Sequence, residues 1–169
     1  MNLFRGNITL CAILTACFLC AGAAAAAPEI GEPAPALKGK LFTGEDFDLA
    51  QMRGKVVLIN YYSSYTKHNA MEIGNLEALL EALQDRGFEI IALGVDRPQD
   101  RERVERMLGI YNIKGAMAAE LEENDFGIGL RATTSFLIDR KGIVRSRETG
   151  GKTPLYFRDF VMPLIDEPQ

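Results

Sequence analysis

From residue 21 to its end the chain contains no cysteine; the only three, Cys11, Cys17 and Cys20, lie near the start of its 169 residues. Without thiols the remainder forms no internal disulfide, has no thiolate nucleophile and lacks the soft ligands that copper selects. A single histidine, His68, does not make an imidazole metal site. No spacing of nucleophile, base and acid suggests hydrolysis either: Ser63 and Ser64 lie near His68 but outside any G-x-S-x-G elbow. No cofactor and no metal are expected. There is no basic stripe and no run of five like charges. With a formal net charge of -4 the chain does not suit the phosphate backbone of a nucleic acid. Repeats, low-complexity tracts and an internal domain boundary are also missing. What is there, 47% apolar and 25% charged residues, suits one globular domain with a full core.

The first 26 residues read differently from the rest. "MNLFRGN" carries one positive charge at Arg5, "ITLCAILTACFLC" is apolar, and "AGAAAAAPE" is small and runs into Pro28. That is the order of a secretory signal, with cleavage expected after Ala25 or Ala26. Two other readings stay open. "LTAC" fits a bacterial lipobox, which would lipidate and retain Cys17. The apolar stretch over residues 8–27 is about the ~20 residues a membrane span needs and could remain as an anchor. All three place the domain, residues 27–169, outside the cytoplasm, in the periplasm, with a membrane association only through the anchor or the lipid.

Along the domain, "PEIGEPAPAL" is a lead-in without periodicity. "LF", a "TGED" turn and "FDL" predict a short hairpin. "KVVLINYY", residues 55–62, is a continuous apolar run that predicts a buried strand. Residues 67–86 predict a helix, with Met71, Ile73, Leu76, Leu79, Leu80 and Leu83 on its apolar face and Gly87 as the glycine after its end. "FEIIALGV" predicts a second buried strand, and "RPQDRERVERMLGIY" a second helix with Pro98 in its first turn. "IKGAMAA" is a strand or a loop. "ELEENDFGIG" predicts a short helix. "TSFLIDRKGIVRSRETG" predicts a hairpin, and "TPLYFRDFVMPLI" a closing helix capped by Thr153. Strands alternating with helices and ending in a hairpin imply an α/β sandwich on a mixed sheet.

The residues "IGEPAPAL", "LAQMRGKVVLINYYSSY" and "ATTSFLIDRKGIV" occur in an order and spacing that resemble thioredoxin-fold proteins of the TlpA/ResA type. The likeness extends more loosely to the redoxin and peroxiredoxin (AhpC/TSA-related) group. It covers nearly all of residues 30–165. It implies a thioredoxin-like three-layer sandwich with a mixed central sheet flanked by helices and an N-terminal β-hairpin extension. It also implies a C-x-x-C dithiol at the start of the first long helix, and this domain has none. The two cysteines of that motif fall on Thr66 and Asn69, the preceding tryptophan on Tyr65, and the family's cis-proline on Thr133. The acid that serves the resolving cysteine falls on Glu72. A threonine has no accessible anion near neutral pH, and Asn69 resolves no mixed disulfide. Dithiol redox activity is therefore expected to be lost. The Ala132-Thr133 bond is expected to be trans, because a non-proline cis bond costs ~2.5–4 kcal/mol.

Each residue at this degenerate site also has a plain role. Thr66 is expected to cap the helix. Lys67 and His68 are expected on an exposed turn, with His68 solvated, and Glu72 in the first helical turn, where it favours the dipole. Of Tyr61, Tyr62 and Tyr65, one or two belong in the core, with Tyr65 near the surface. The surface formed by Tyr65, Thr66, Lys67, His68, Asn69, Glu72, Ala132 and Thr133 is the candidate binding site. Its expected occupant is an envelope protein or peptide held without redox chemistry. The alternative is an enzyme that binds an external thiol such as glutathione at the helix N-terminus, where backbone N–H groups favour anions.

Overall fold

A computed structural model describes residues 27–66, 69–127 and 133–168, with the side chains of residues 69 and 70 left aside. Its centre is strand β3, Val56–Tyr62, in which all seven residues are buried. Strands alternate their side chains between two faces. Here Val56, Leu58 and Tyr62 point into one apolar cluster, and Val57, Ile59 and Tyr61 into another. A continuous apolar run is what a strand covered on both faces requires.

After β3 the chain forms α1 (Asn69–Leu83), β4 (Phe88–Gly94), α2 (Arg101–Ile110) and β5 (Lys114–Met117). β4 lies parallel to β3 and β5 parallel to β4. β7 (Thr134–Ile138) pairs antiparallel with the other edge of β3, and β8 (Val144–Thr149) antiparallel with β7. The five-stranded order is therefore β5-β4-β3-β7-β8. A closing helix, α3 (Pro154–Asp166), begins where the Thr153 side chain accepts a hydrogen bond from the Tyr156 amide, as expected of a cap.

Residues from α1 (Ile73, Leu76), α2 (Val104, Leu108) and α3 (Phe157, Val161) join one cluster on one face of the sheet. Burying each such side chain contributes about 1.5–3 kcal/mol before conformational entropy is counted. The other face is covered by a small antiparallel sheet of order β2-β1-β6, built from β1 (Leu37–Lys40), β2 (Asp46–Asp48) and β6 (Glu123–Asn124). The three layers are thus helices, the mixed sheet, and the hairpin sheet with its loops. Among the described residues, no helix is long and apolar enough to cross a membrane.

Several local expectations change. "IKGAMAA" resolves as strand β5 followed by a 3₁₀ turn over Ala118–Glu120. The short helix expected from "ELEENDFGIG" is not formed within the described residues: Glu123 and Asn124 pair with Lys38 and Leu37 instead. Satisfying the free edge of β1 outweighs the weak helical pattern of an acidic segment. The first hairpin strand lies earlier than "LF", and the second helix starts with a 3₁₀ turn over Pro98–Asp100. Met71 is 66% exposed, so it does not share the buried face of α1. Gly87 is in the left-handed conformation at φ 79°, which lets the chain leave the 3₁₀ turn Gln84–Arg86 and enter β4 at once.

The hairpin layer is tied to the main sheet by a side chain as well as by packing. Tyr61, buried at the Phe126–Phe136 aromatic cluster, donates its hydroxyl proton to Asn124 Oδ1 at 2.7 Å. Tyr61→Phe removes this bond and leaves the Asn124 oxygen unpaired, so urea denaturation is expected to show a loss of about 1 kcal/mol. An unchanged midpoint would mean that packing alone holds the layer.

Candidate functional site

In α/β sheets, sites form at the carboxyl ends of parallel strands, where loops and helix N-termini converge. Here the turn after β3, the loop after β4, the start of β7 and the loop after β8 share that edge. The pairings Tyr62 with Gly94 and Thr134 with Thr149 place them there.

The turn Ser63–Thr66 is held from the β4 side. Asp96 is buried and accepts hydrogen bonds from the Ser64 amide (2.9 Å), the Ser64 hydroxyl (3.1 Å) and the Ser63 hydroxyl (3.0 Å). Three donors to one carboxylate compensate its burial. Both serines are thus used to shape the turn. Tyr65 is 52% exposed, but it is not loose. Its hydroxyl donates to Asp100 Oδ1 at 2.5 Å and accepts from Arg97 at 3.3 Å, and the Arg103 guanidinium lies 4.6 Å from its ring centre. The Tyr65 hydrogen bond, with help from Arg97, holds the Asp100 carboxyl below its usual range. Thr66 Oγ1 donates to the Ser63 carbonyl at 3.3 Å. A hydroxyl that donates backward keeps acceptor capacity, and the residues after Thr66 that would meet it as a helix cap lie outside the described ones.

Glu72 departs most from expectation. It is only 3% exposed, so it is a floor residue and not a solvated first-turn acid. Its Oε1 accepts from Asn60 Nδ2 at 3.3 Å, and the same Asn60 amide donates to Ser135 Oγ at 2.9 Å. Asn60 and Ser135 are buried and stand directly opposite each other in the β3–β7 register. Glu72 Oε2 and Asn60 Oδ1 are buried and have no hydrogen-bond partner among the described residues. Burial pushes the Glu72 carboxyl up to about 7, against the smaller opposing pulls of the Asn60 hydrogen bond and of the Lys152 charge. Over Glu72 opens a cleft of about 430 Å³ lined by Met71, Asn75 and the loop Gly151–Pro154. Among the described residues no group of acidic, histidine and cysteine side chains could hold a metal ion.

Of the expected site residues, Tyr65, Thr66, Glu72 and Thr133 fall on this edge, Thr133 accepting from the Gly150 amide at 2.8 Å. Lys67, His68 and Ala132 lie outside the described residues, as does the Ala132-Thr133 bond, and of Asn69 only the backbone, which opens α1, is described. Asn60, Ser135, Asp96 and Gly151 were not anticipated. Asn60 and Ser135 carry a legible signal, since each is a polar residue interrupting an apolar strand.

A carboxyl raised from its ordinary 4.5 to about 7 makes stability depend on pH. Between those values the folded state holds a proton that the unfolded state has lost, so stability falls as pH rises through the window. Chemical denaturation is expected to show a loss on the order of 3 kcal/mol from pH 4.5 to pH 8. Glu72→Gln should flatten that slope and be the more stable protein at pH 8. Parallel slopes for the two proteins would remove the assignment.

Comparison with known proteins gives this edge a lineage. A profile of the AhpC/TSA family matches residues 30–147. Thiol-disulfide oxidoreductase ResA of Bacillus thuringiensis (strain Al Hakam) is 28% identical over 128 residues, covering 74% of this chain and 72% of the relative. ResA of Geobacillus thermodenitrificans (strain NG80-2) is 28% identical over 127 residues, covering 73% and 71%. Among solved structures, a thioredoxin-family thiol:disulfide interchange protein of Chlorobium tepidum TLS has a TM-score of 0.68 at 24% identity, over 82% of this chain and 99% of that one. The thioredoxin domain of a thiol-disulfide oxidoreductase from Bacteroides vulgatus has a TM-score of 0.63 at 21% identity, over 83% and 100%. The matched profile spans more than half of the chain, and the chain belongs to the AhpC/TSA family, with a thioredoxin-like fold and a likeness to ResA.

Proposed function

We propose that this chain is an exported, non-redox member of its family that holds a polypeptide partner at the edge formed by Tyr65, Thr66 and Thr133. The observation that carries the proposal is the lack of any cysteine from residue 21 onward. Disulfide exchange proceeds by thiolate attack on a disulfide sulfur and needs a thiolate as leaving group. The hydroxyl of Thr66 supplies neither. A C-x-x-C spacing does occur at Cys17 and Cys20, but within the apolar leader. That leader supports export, with its retention as an anchor or lipid-bearing segment as the other outcome.

Support for holding comes from Tyr65. Tyrosine offers apolar area with a polar tip and is favoured in binding surfaces. This one is half exposed and immobilised from below by Arg97, Asp100 and Arg103.

The purified full-length chain is expected to accelerate insulin reduction by dithiothreitol no more than a protein blank. Any rate above blank overturns the non-redox reading. A partner recovered from the envelope fraction should be lost with Tyr65→Ala and retained with Tyr65→Phe, which keeps the ring. Equal recovery by all three proteins would move the contact surface elsewhere.

A further inference from the structure

Glu72 lies under the short connection between β8 and α3. Its Oε2 is shut off from solvent and has no hydrogen-bond partner among the described residues. Gly151 passes so close that a Cβ there would lie 2.9 Å from that oxygen. The connection is fixed at both ends, since Thr149 pairs with Thr134 at the end of the β7–β8 ladder and Thr153 caps α3. Three residues span the gap. Gly150 and Gly151 are exposed, and Gly150 stands at φ 78° with open space where a side chain would be. The Gly150 amide donates to the Thr133 carbonyl at 2.8 Å, and Lys152 Nζ lies 3.5 Å from the Glu148 carboxylate. Two consecutive glycines let the backbone change direction at little steric cost.

We propose that Gly150–Lys152 is a lid over Glu72 and that ionisation of this acid opens it. A neutral carboxyl tolerates the closed position. A carboxylate there has one oxygen held by Asn60 and the other without a donor, and a buried charge so placed is costly. On its other sides the acid is enclosed by α1 and by the paired strands β3 and β7, which cannot part without unfolding. The lid can move, because its ends stay anchored while its two glycines turn. Opening admits water to Oε2, and the proton leaves to solvent. Few charges surround the acid. Lys152, on the lid, pulls its proton affinity down and is itself paired with Glu148 of β8. Asn60 and Ser135 of β3 and β7, Asn75 of α1 and Pro154 of α3 are neutral. Lys67 and His68 precede α1 and lie outside the described residues.

The direction of the pH effect follows. Under the closed lid the carboxyl keeps its proton up to about 7, whereas in water it releases it near 4.5. Opening therefore becomes more frequent as pH rises between these values and levels off above the upper one. The open state breaks the Gly150 bond to Thr133 and brings a negative charge to the site edge, whether or not that edge holds the partner proposed above.

The test is hydrogen exchange of the Gly150 amide in the full-length chain, expressed as protection relative to an unstructured amide and measured with and without dilute urea. Protection is expected to fall about 70-fold from pH 5 to pH 8, with no response to urea, as a local opening requires. The fall should level off where the Glu72 carboxyl carbon titrates by NMR. Glu72→Gln should hold protection at its pH 5 level throughout, and His68→Gln should leave the pH dependence intact. A Gly150 amide unprotected at pH 5, protection constant from pH 5 to pH 8, or the same fall in Glu72→Gln each overturns the lid. So does a fall that follows urea, which is global unfolding, or one abolished by His68→Gln, which assigns the switch to the imidazole.

Discussion

Burial of β3 on both faces is the constraint from which the rest of the arrangement follows. A strand with helices on one side and a second sheet on the other must satisfy every polar atom from within. Five of its seven residues meet this with apolar bodies or, for Tyr61, with one hydroxyl contact to Asn124, while the buried Tyr62 hydroxyl has no partner among the described residues. Asn60 cannot. Its amide recruits Ser135 from β7 and Glu72 from α1, so a polar contact spans two strands and a helix under the site edge. Burying a carboxyl in that way raises its proton affinity.

The fold was largely legible in the chain. The apolar runs at residues 55–62 and 88–95, the glycine after the first helix and the threonine cap of the last all stand where periodicity and turn chemistry put them. Failures are confined to places where distant partners decide. "ELEENDFGIG" has the composition of a helix, but Glu123 and Asn124 complete the edge of β1, and no local pattern reports that need. Met71 fits the apolar spacing of α1, yet it is exposed and lines the cleft. At the site, the turn residues could be placed by resemblance, and Glu72 was placed correctly in sequence but misjudged in environment. Its burial depends on Asn60, Ser135 and Gly151, which come from three other segments.

The relatives named thiol-disulfide oxidoreductases and this chain share a framework. The shared part is the positioning of a turn at the carboxyl end of β3 and a helix beginning beside it. In this chain the turn is fastened by Asp96 through hydroxyl and amide donors, and Tyr65 by Arg97, Asp100 and Arg103. A family match reports the framework, and the chemistry of a site has to be argued from its particular side chains.

The fastening of Tyr65 has an entropic consequence. A surface tyrosine that docks a partner ordinarily loses rotamer freedom on binding, and immobilising a side chain at an interface costs about 0.5–1.5 kcal/mol. With Arg103 against its ring and Asp100 and Arg97 on its hydroxyl, Tyr65 has already lost much of that freedom in the free domain. The cost falls on folding, where the core can offset it, and a complex formed at this edge starts with its aromatic contact in place.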